Sequence, residues 1–203
     1  TYWGGSDTSD GGAVRFRTIG EVAIHNCEVS YCARGLRLQD CGSDNRASIV
    51  TGCRVYRTLE AAIYCAASSY TGTDGCKNML ITGNQVLEPS NNGILVIGGK
   101  DVTVSNNNIV RSANAGVMQW HSLDSRIIGN SLFDCNRLSY NGVGNLADAY
   151  GQIVIDGNSN ISTTTGSHMA VVQHNSMIKC NQGRAGAVYG INVQQSSGSG
   201  AYP

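Results

Sequence analysis

Six segments of this 203-residue chain align without a gap: VAIHNCEV (Val22 to Val29), SIVTGCRV (Ser48 to Val55), MLITGNQV (Met79 to Val86), VTVSNNNI (Val102 to Ile109), SRIIGNSL (Ser125 to Leu132) and AVVQHNSM (Ala170 to Met177). Their third position is always Ile or Val, namely Ile24, Val50, Ile81, Val104, Ile127 and Val172. The fifth is Asn or Gly in five copies and His174 in the sixth, while the sixth position runs Cys27, Cys53, Asn84, Asn107, Asn130, Asn175. Columns that agree in this way mark units that cannot bury an apolar face alone and must stack on their neighbours. Alternating apolar residues make a short strand with one inward face, and Asn or Gly tolerates the left-handed backbone of a sharp bend.

Seven or eight residues after each of the first four segments comes a second apolar pair, usually introduced by Gly: Gly35 to Leu38, Ala62 to Cys65, Gly93 to Val96 and Gly116 to Gln119. Gln152 to Ile155 and Gly190 to Val193 are later equivalents, and Ala13 to Phe16 reads as an incomplete first coil. The closest copies, ending at Ile109 and Leu132, are 23 residues apart. Strand, bend, strand, loop, strand at that period predicts an all-β, single-stranded parallel β-helix of about seven coils, one domain over residues 1–203. Parallel crossovers make it right-handed. At about 4.8 Å per coil, Asn84, Asn107, Asn130 and Asn175 form one inward ladder of amides, continued by Cys27 and Cys53. A leucine-rich repeat would need an LxxLxL register that is missing, and a propeller would need longer blades.

Composition agrees. The 26 Gly, 19 Asn and 21 Ser make up a third of the chain, which excludes long helices, while 41% apolar residues argue against disorder. Fourteen basic residues balance 14 acidic ones, which gives no field for general nucleic-acid binding. No apolar run approaches the roughly 20 residues of a membrane-spanning helix, so no membrane insertion is expected. The eight cysteines, at 27, 32, 41, 53, 65, 76, 135 and 180, fit neither zinc spacings nor a dense disulfide framework, and several share inward columns with Asn, Ser or Val. They are expected to be buried free thiols, suited to folding in a reducing cytosol. A start at Thr1 and terminal coils without a capping helix suggest a fragment of a longer chain.

Apolar pair, Asn turn, then Gly-introduced apolar pair, repeated over residues 11 to 195, resembles the pectate-lyase-like right-handed parallel β-helix superfamily. Its members include polysaccharide lyases, glycoside hydrolases, epimerases, esterases and adhesins. Within it the chain is most similar to bacteriophage tailspikes, which cut bacterial surface polysaccharide. One reason is the unpaired-looking cysteines, as expected of a virion protein assembled in the host cytosol. The other is a band of outward apolar residues, Leu95, Ile97, Met118, Trp120 and Val154, that a homotrimer, a packed loop or a sugar-stacking groove would cover. The resemblance implies a bacterial polysaccharide partner and a place on a virion tail, or otherwise outside a cell. The NTD, DD, GHG and RIK set of polygalacturonases and the WxDH pattern of pectate lyases are absent, so only the region of the cleft carries over: the Gly-introduced strands and the loops before them.

That region supplies Arg34, Glu60, Asn91, Asn92, Asn114, Tyr150 and Tyr189, with Arg15, Arg37 and Tyr64 pointing outward within the strands. Two residues past the aligned segments runs a second file, Tyr31, Arg57, Glu88, Arg111, Asp134, Lys179, which is either a solvated ladder of alternating charge or a site. Carboxylates on adjacent coils would be about 5 Å apart, suiting a retaining glycosidase, and two coils apart roughly 9–10 Å, near the inverting limit. Glu60 and Glu88 are the expected catalytic pair, with Asp134 and Asp148 in reserve and Arg57 and Arg111 placed to hold anionic sugars. A lyase would instead use Arg34, Arg37 and Tyr64. Trp120 offers a stacking surface, and the insertion Ser139 to Tyr150, with Tyr140, Asp148 and Tyr150, is expected to overhang the cleft. A non-enzymatic glycan-binding solenoid is the alternative. No cofactor is indicated; Asp101 and Asp124, on neighbouring coils beside Trp120 and His121, would either hold calcium or serve their own turns.

Overall fold

A computed structural model describes residues 12–67, 75–136, 151–158, 170–179 and 189–196. Every regular element among them is a strand, and the strands form three parallel sheets of seven, six and six. Sheet A holds the Gly-introduced segments: Val14–Arg17, Leu36–Gln39, Ile63–Ala66, Ile94–Ile97, Val117–Trp120, Gly151–Asn158 and Tyr189–Ser196. The first halves of the aligned copies make sheet B (Ala23–His25, Ser48–Thr51, Lys77–Thr82, Lys100–Ser105, Ser125–Ile128, Ala170–Gln173). Their second halves make sheet C (Glu28–Ser30, Arg54–Tyr56, Gln85–Leu87, Asn108–Val110, Ser131–Phe133, Ser176–Ile178). Each strand pairs with its equivalent one coil away, so the chain winds A, B, C and back to A as a right-handed parallel β-helix.

The third-position file is continuous: Ile24 pairs with Val50, Val50 with Ile81, Ile81 with Val104, Val104 with Ile127, and Ile127 with Val172. The first five are buried, as are Leu36, Leu38, Ile63, Ile94 and Ile153 facing them from sheet A. Burial of each such side chain contributes about 1.5–3 kcal/mol. At the corner between sheets B and C all six fifth-position residues have positive φ, from 52° at Asn26 to 66° at Gly129, and His174 adopts it too.

The sixth-position amides form the expected ladder, with a second role. Asn107, Asn130 and Asn175 each accept at Oδ1 both the backbone N–H and the side-chain amide of the asparagine one coil earlier, Asn107 from Asn84 at 3.0 Å in both cases. Each Nδ2 also donates back to the third-position carbonyl of that earlier coil: Asn84 to Val50, Asn107 to Ile81, Asn130 to Val104, Asn175 to Ile127. Cys53 extends the column, its thiol lying 3.8 Å from the Ile24 carbonyl while its backbone N–H donates to Asn84 Oδ1. All seven described cysteines are free, and six of them are buried; Cys180 lies outside the described residues. Burial pushes the Cys32, Cys41, Cys53 and Cys135 thiols up. A hydrogen bond between the Cys65 and Cys76 thiols raises the first well above the usual range and lowers the second.

Gly93, at the entry to its sheet A strand, has no unusual backbone angle; a Cβ there would sit 2.5 Å from the Gly116 carbonyl oxygen and 2.6 Å from Ile109 Cγ2. The strand-introducing glycine is therefore a matter of close approach between coils.

Candidate functional site

The outer face of sheet C carries three parallel files along the solenoid axis. Glu28, Arg54, Gln85, Asn108, Ser131 and Ser176 form one, and Ser30, Tyr56, Leu87, Val110, Phe133 and Ile178 a second. The third is Tyr31, Arg57, Glu88, Arg111, Asp134, Lys179, in the turn that leaves the sheet. All six have positive φ, between 52° and 60°. Left-handed backbone costs an ordinary L-residue about 1–2 kcal/mol, so the local preference of Arg, Glu and Lys is overruled by the stacking of coils. The tight turn sets their side chains side by side on the outside of the corner.

The file is a chain of contacts. Arg57 Nη1 donates to the Tyr31 hydroxyl at 2.6 Å, and its Nε to Glu88 Oε2 at 3.2 Å. Glu88 Oε1 meets Arg111 Nη1 at 3.0 Å, and Arg111 Nε lies 4.0 Å from Asp134 Oδ2. Lys179 Nζ sits 5.0 Å over the Phe133 ring. The Tyr31 hydroxyl and Glu88 together hold the Arg57 guanidinium above its ordinary pKa. Arg57 and Arg54 lie over the Tyr31 and Tyr56 rings at 5.6 and 5.2 Å, and the two rings meet edge to face at 5.8 Å. Tyr31, Arg54, Tyr56, Arg57, Leu87, Glu88, Val110 and Arg111 enclose an open groove of about 480 Å³. It offers apolar and aromatic faces, three guanidiniums and one carboxylate, a surface that can stack on sugar rings and hydrogen-bond hydroxyl or carboxylate groups.

Glu60 and Glu88 do not face each other. Glu60 lies on the loop entering sheet A and pairs with Arg34, whereas Glu88 stacks over Arg57 and is held by Arg57 and Arg111. The structure does bring Glu88, Arg111 and Asp134 onto successive coils. Arg34 and Arg37 flank the Tyr64 ring at 4.8 and 5.6 Å on the outer face of sheet A, but Arg37 is 6% exposed and Tyr64 8%. Trp120 and Met118, 5% and 1% exposed, are likewise enclosed, as are Ile97 and Val154, with Leu95 half-buried against them. The apolar band, for which a homotrimer, a packed loop or a sugar-stacking groove is the expected cover, is thus already buried within one chain, and Trp120 presents no open face to a sugar. The Asn92 side chain is buried, and it is Asn91 that pairs outward with Asn114 Nδ2 at 2.8 Å. Asp148, Tyr140 and Tyr150 lie outside the described residues.

Asp101 and Asp124 both have positive φ, in one turn column with Asn78. Among the described residues no group of three or more His, Cys, Asp or Glu is placed to hold a metal ion. The groove residues not singled out from the sequence are Arg54, Tyr56, Leu87 and Val110. Their signal was there: Arg54 and Tyr56 alternate with inward Val55, and Tyr56 shares a column with Leu87 and Val110.

A family model described as the right-handed β-helix region matches residues 5–109, just over half of the chain. No curated protein and no solved structure matches it.

Proposed function

The chain belongs to the right-handed β-helix family, and from that premise we propose that it binds polysaccharide lengthwise along the outer face of sheet C. β-Helices of this kind are common among proteins that bind or degrade polysaccharide. The observation that carries the reading is the groove itself, where Tyr56, Leu87 and Val110 lie beside Tyr31, Arg57, Glu88 and Arg111. Coils repeat about every 4.8 Å, close to the length of one pyranose unit in an extended chain, so successive rungs can meet successive sugars. A bacterial surface polysaccharide met at a virion tail or cell surface is the proposed partner, and the free thiols support assembly in a reducing cytosol. Titration of a panel of such polysaccharides tests this. Tyr56→Ala is expected to weaken binding about fivefold, the loss of one stacking contact, and Asp101→Asn, in another turn column, to leave it unchanged. Equal affinity in wild type and Tyr56→Ala would refute the placement.

Depolymerisation is the second reading, favoured by one observation: Glu88 and Asp134 stand two coils apart with Arg111 between them, roughly 9–10 Å by coil spacing, near the upper limit for an inverting pair. Hydrolysis would release new reducing ends that Glu88→Gln and Asp134→Asn each abolish. A lyase would instead release an unsaturated, ultraviolet-absorbing product.

A further inference from the structure

The turn file that borders the groove alternates in charge with a period of two coils: Arg57, Glu88, Arg111, Asp134, Lys179. Cations therefore recur about every 10 Å, with an acid on each intervening rung. Resting on the reading that the groove holds a glycan lengthwise, we infer that its ligand is an alternating polymer, in which an acidic sugar is followed by a neutral, hydroxyl-rich one. A disaccharide in an extended chain spans about two coils, so each carboxylate meets a guanidinium or ammonium group while each neutral sugar offers hydroxyl donors to Glu88 or Asp134. A polyuronate with a carboxylate on every sugar would set one against each of these acids, where like charges repel.

The ion pairs already within the file do not block such a ligand. Arg57, Glu88 and Arg111 have side chains 56%, 37% and 44% exposed, and exposed pairs of this kind contribute little, so exchanging one for a ligand contact costs little. Asp134 is the more enclosed of the two acids, at 15%, which makes Glu88 the rung that reads the intervening sugar. The four coils lining the groove, from Tyr31 to Arg111, span about 14 Å and hold one cation–acid–cation period.

The test titrates the whole chain with size-matched oligosaccharides of hyaluronan (alternating glucuronate and N-acetylglucosamine), polygalacturonate (a carboxylate on every sugar) and dextran (none). Unspecific attraction to cations would favour polygalacturonate, which carries twice the charge, so the expected order is opposite to that background. Wild type should bind hyaluronan about fivefold tighter than polygalacturonate, the ratio given by about 1 kcal/mol, and dextran more weakly than hyaluronan. Glu88→Gln should bring polygalacturonate to within about twofold of hyaluronan by removing the repulsion, and Arg111→Gln should weaken hyaluronan about fivefold. Polygalacturonate binding as tightly as hyaluronan to wild type would overturn the alternation while leaving glycan binding intact. A preference that Glu88→Gln does not change would overturn it as well, because selection would then reside elsewhere. Failure of all three glycans to bind would overturn the proposed function and this inference with it.

Discussion

Replacing Asn107 by Ala should lower stability by about 3 kcal/mol, and the ladder geometry says why. The Asn107 side chain, 1% exposed, makes four hydrogen bonds. Oδ1 accepts from Asn84 N and Asn84 Nδ2, and Nδ2 donates to the Ile81 carbonyl and to Asn130 Oδ1. Two of the groups it would abandon keep other partners: Asn84 Nδ2 still donates to Val50 O, and Asn130 Oδ1 still accepts Asn107 N. The other two, Asn84 N–H and Ile81 C=O, lose the partner the amide gave them in the core. Orphaning a buried polar group costs about 1–3 kcal/mol, so two cost about 2–6. For a chain of this size 3 kcal/mol corresponds to a fall of about 6–12 °C in melting midpoint. Asn107→Cys should fall about half as far, because the Cys53 thiol stands in the equivalent place 3.8 Å from the Ile24 carbonyl. Thermal melts followed by circular dichroism measure both. An Ala variant melting within about 1 °C of wild type, or a Cys variant as damaged as Ala, would refute the reasoning.

Three further outcomes are expected. Gly93→Ala should cost about 1–3 kcal/mol by overpacking, since the new Cβ would meet the Gly116 carbonyl and Ile109; denaturant titration checks it, and an unchanged midpoint contradicts the close-approach account. Thr18→Asn should raise the melting midpoint by about 2–4 °C, because a β-branched residue there holds φ at 54° and Asn adopts that conformation at less cost. Stability should fall as pH rises past the ordinary thiol value of 9.0, since Cys32, Cys41, Cys53 and Cys135 stay protonated longer folded than unfolded. Their contribution is complete below that pH and is lost above it; melting midpoints level from about pH 8 to about pH 10 would contradict it.

What could be read in the sequence was whatever repeats. Ile24 through Val172 and Asn84 through Asn175 lie in register because one residue of slip would turn every strand inside out. Three things escaped for physical reasons. Alternation told that Met118 and Trp120 point out of sheet A, but direction is not exposure, and both are buried. Arg57, Glu88 and Arg111 could be placed in a file, yet nothing in their own preferences signals the left-handed turn that aims them. Glu60 and Glu88 lie on adjacent coils, but in different columns, and each turned to its nearest arginine, Glu60 to Arg34 and Glu88 to Arg57 and Arg111.

A crystal structure of the chain with a bound hyaluronan oligosaccharide is the most direct measurement. The sugar chain should run parallel to the solenoid axis over Tyr56, Leu87 and Val110, with successive carboxylates at Arg57 and Arg111 and a neutral ring at Glu88. An oligosaccharide seated on sheet A, lying across the coils, or absent from the groove at saturating concentration would contradict the account.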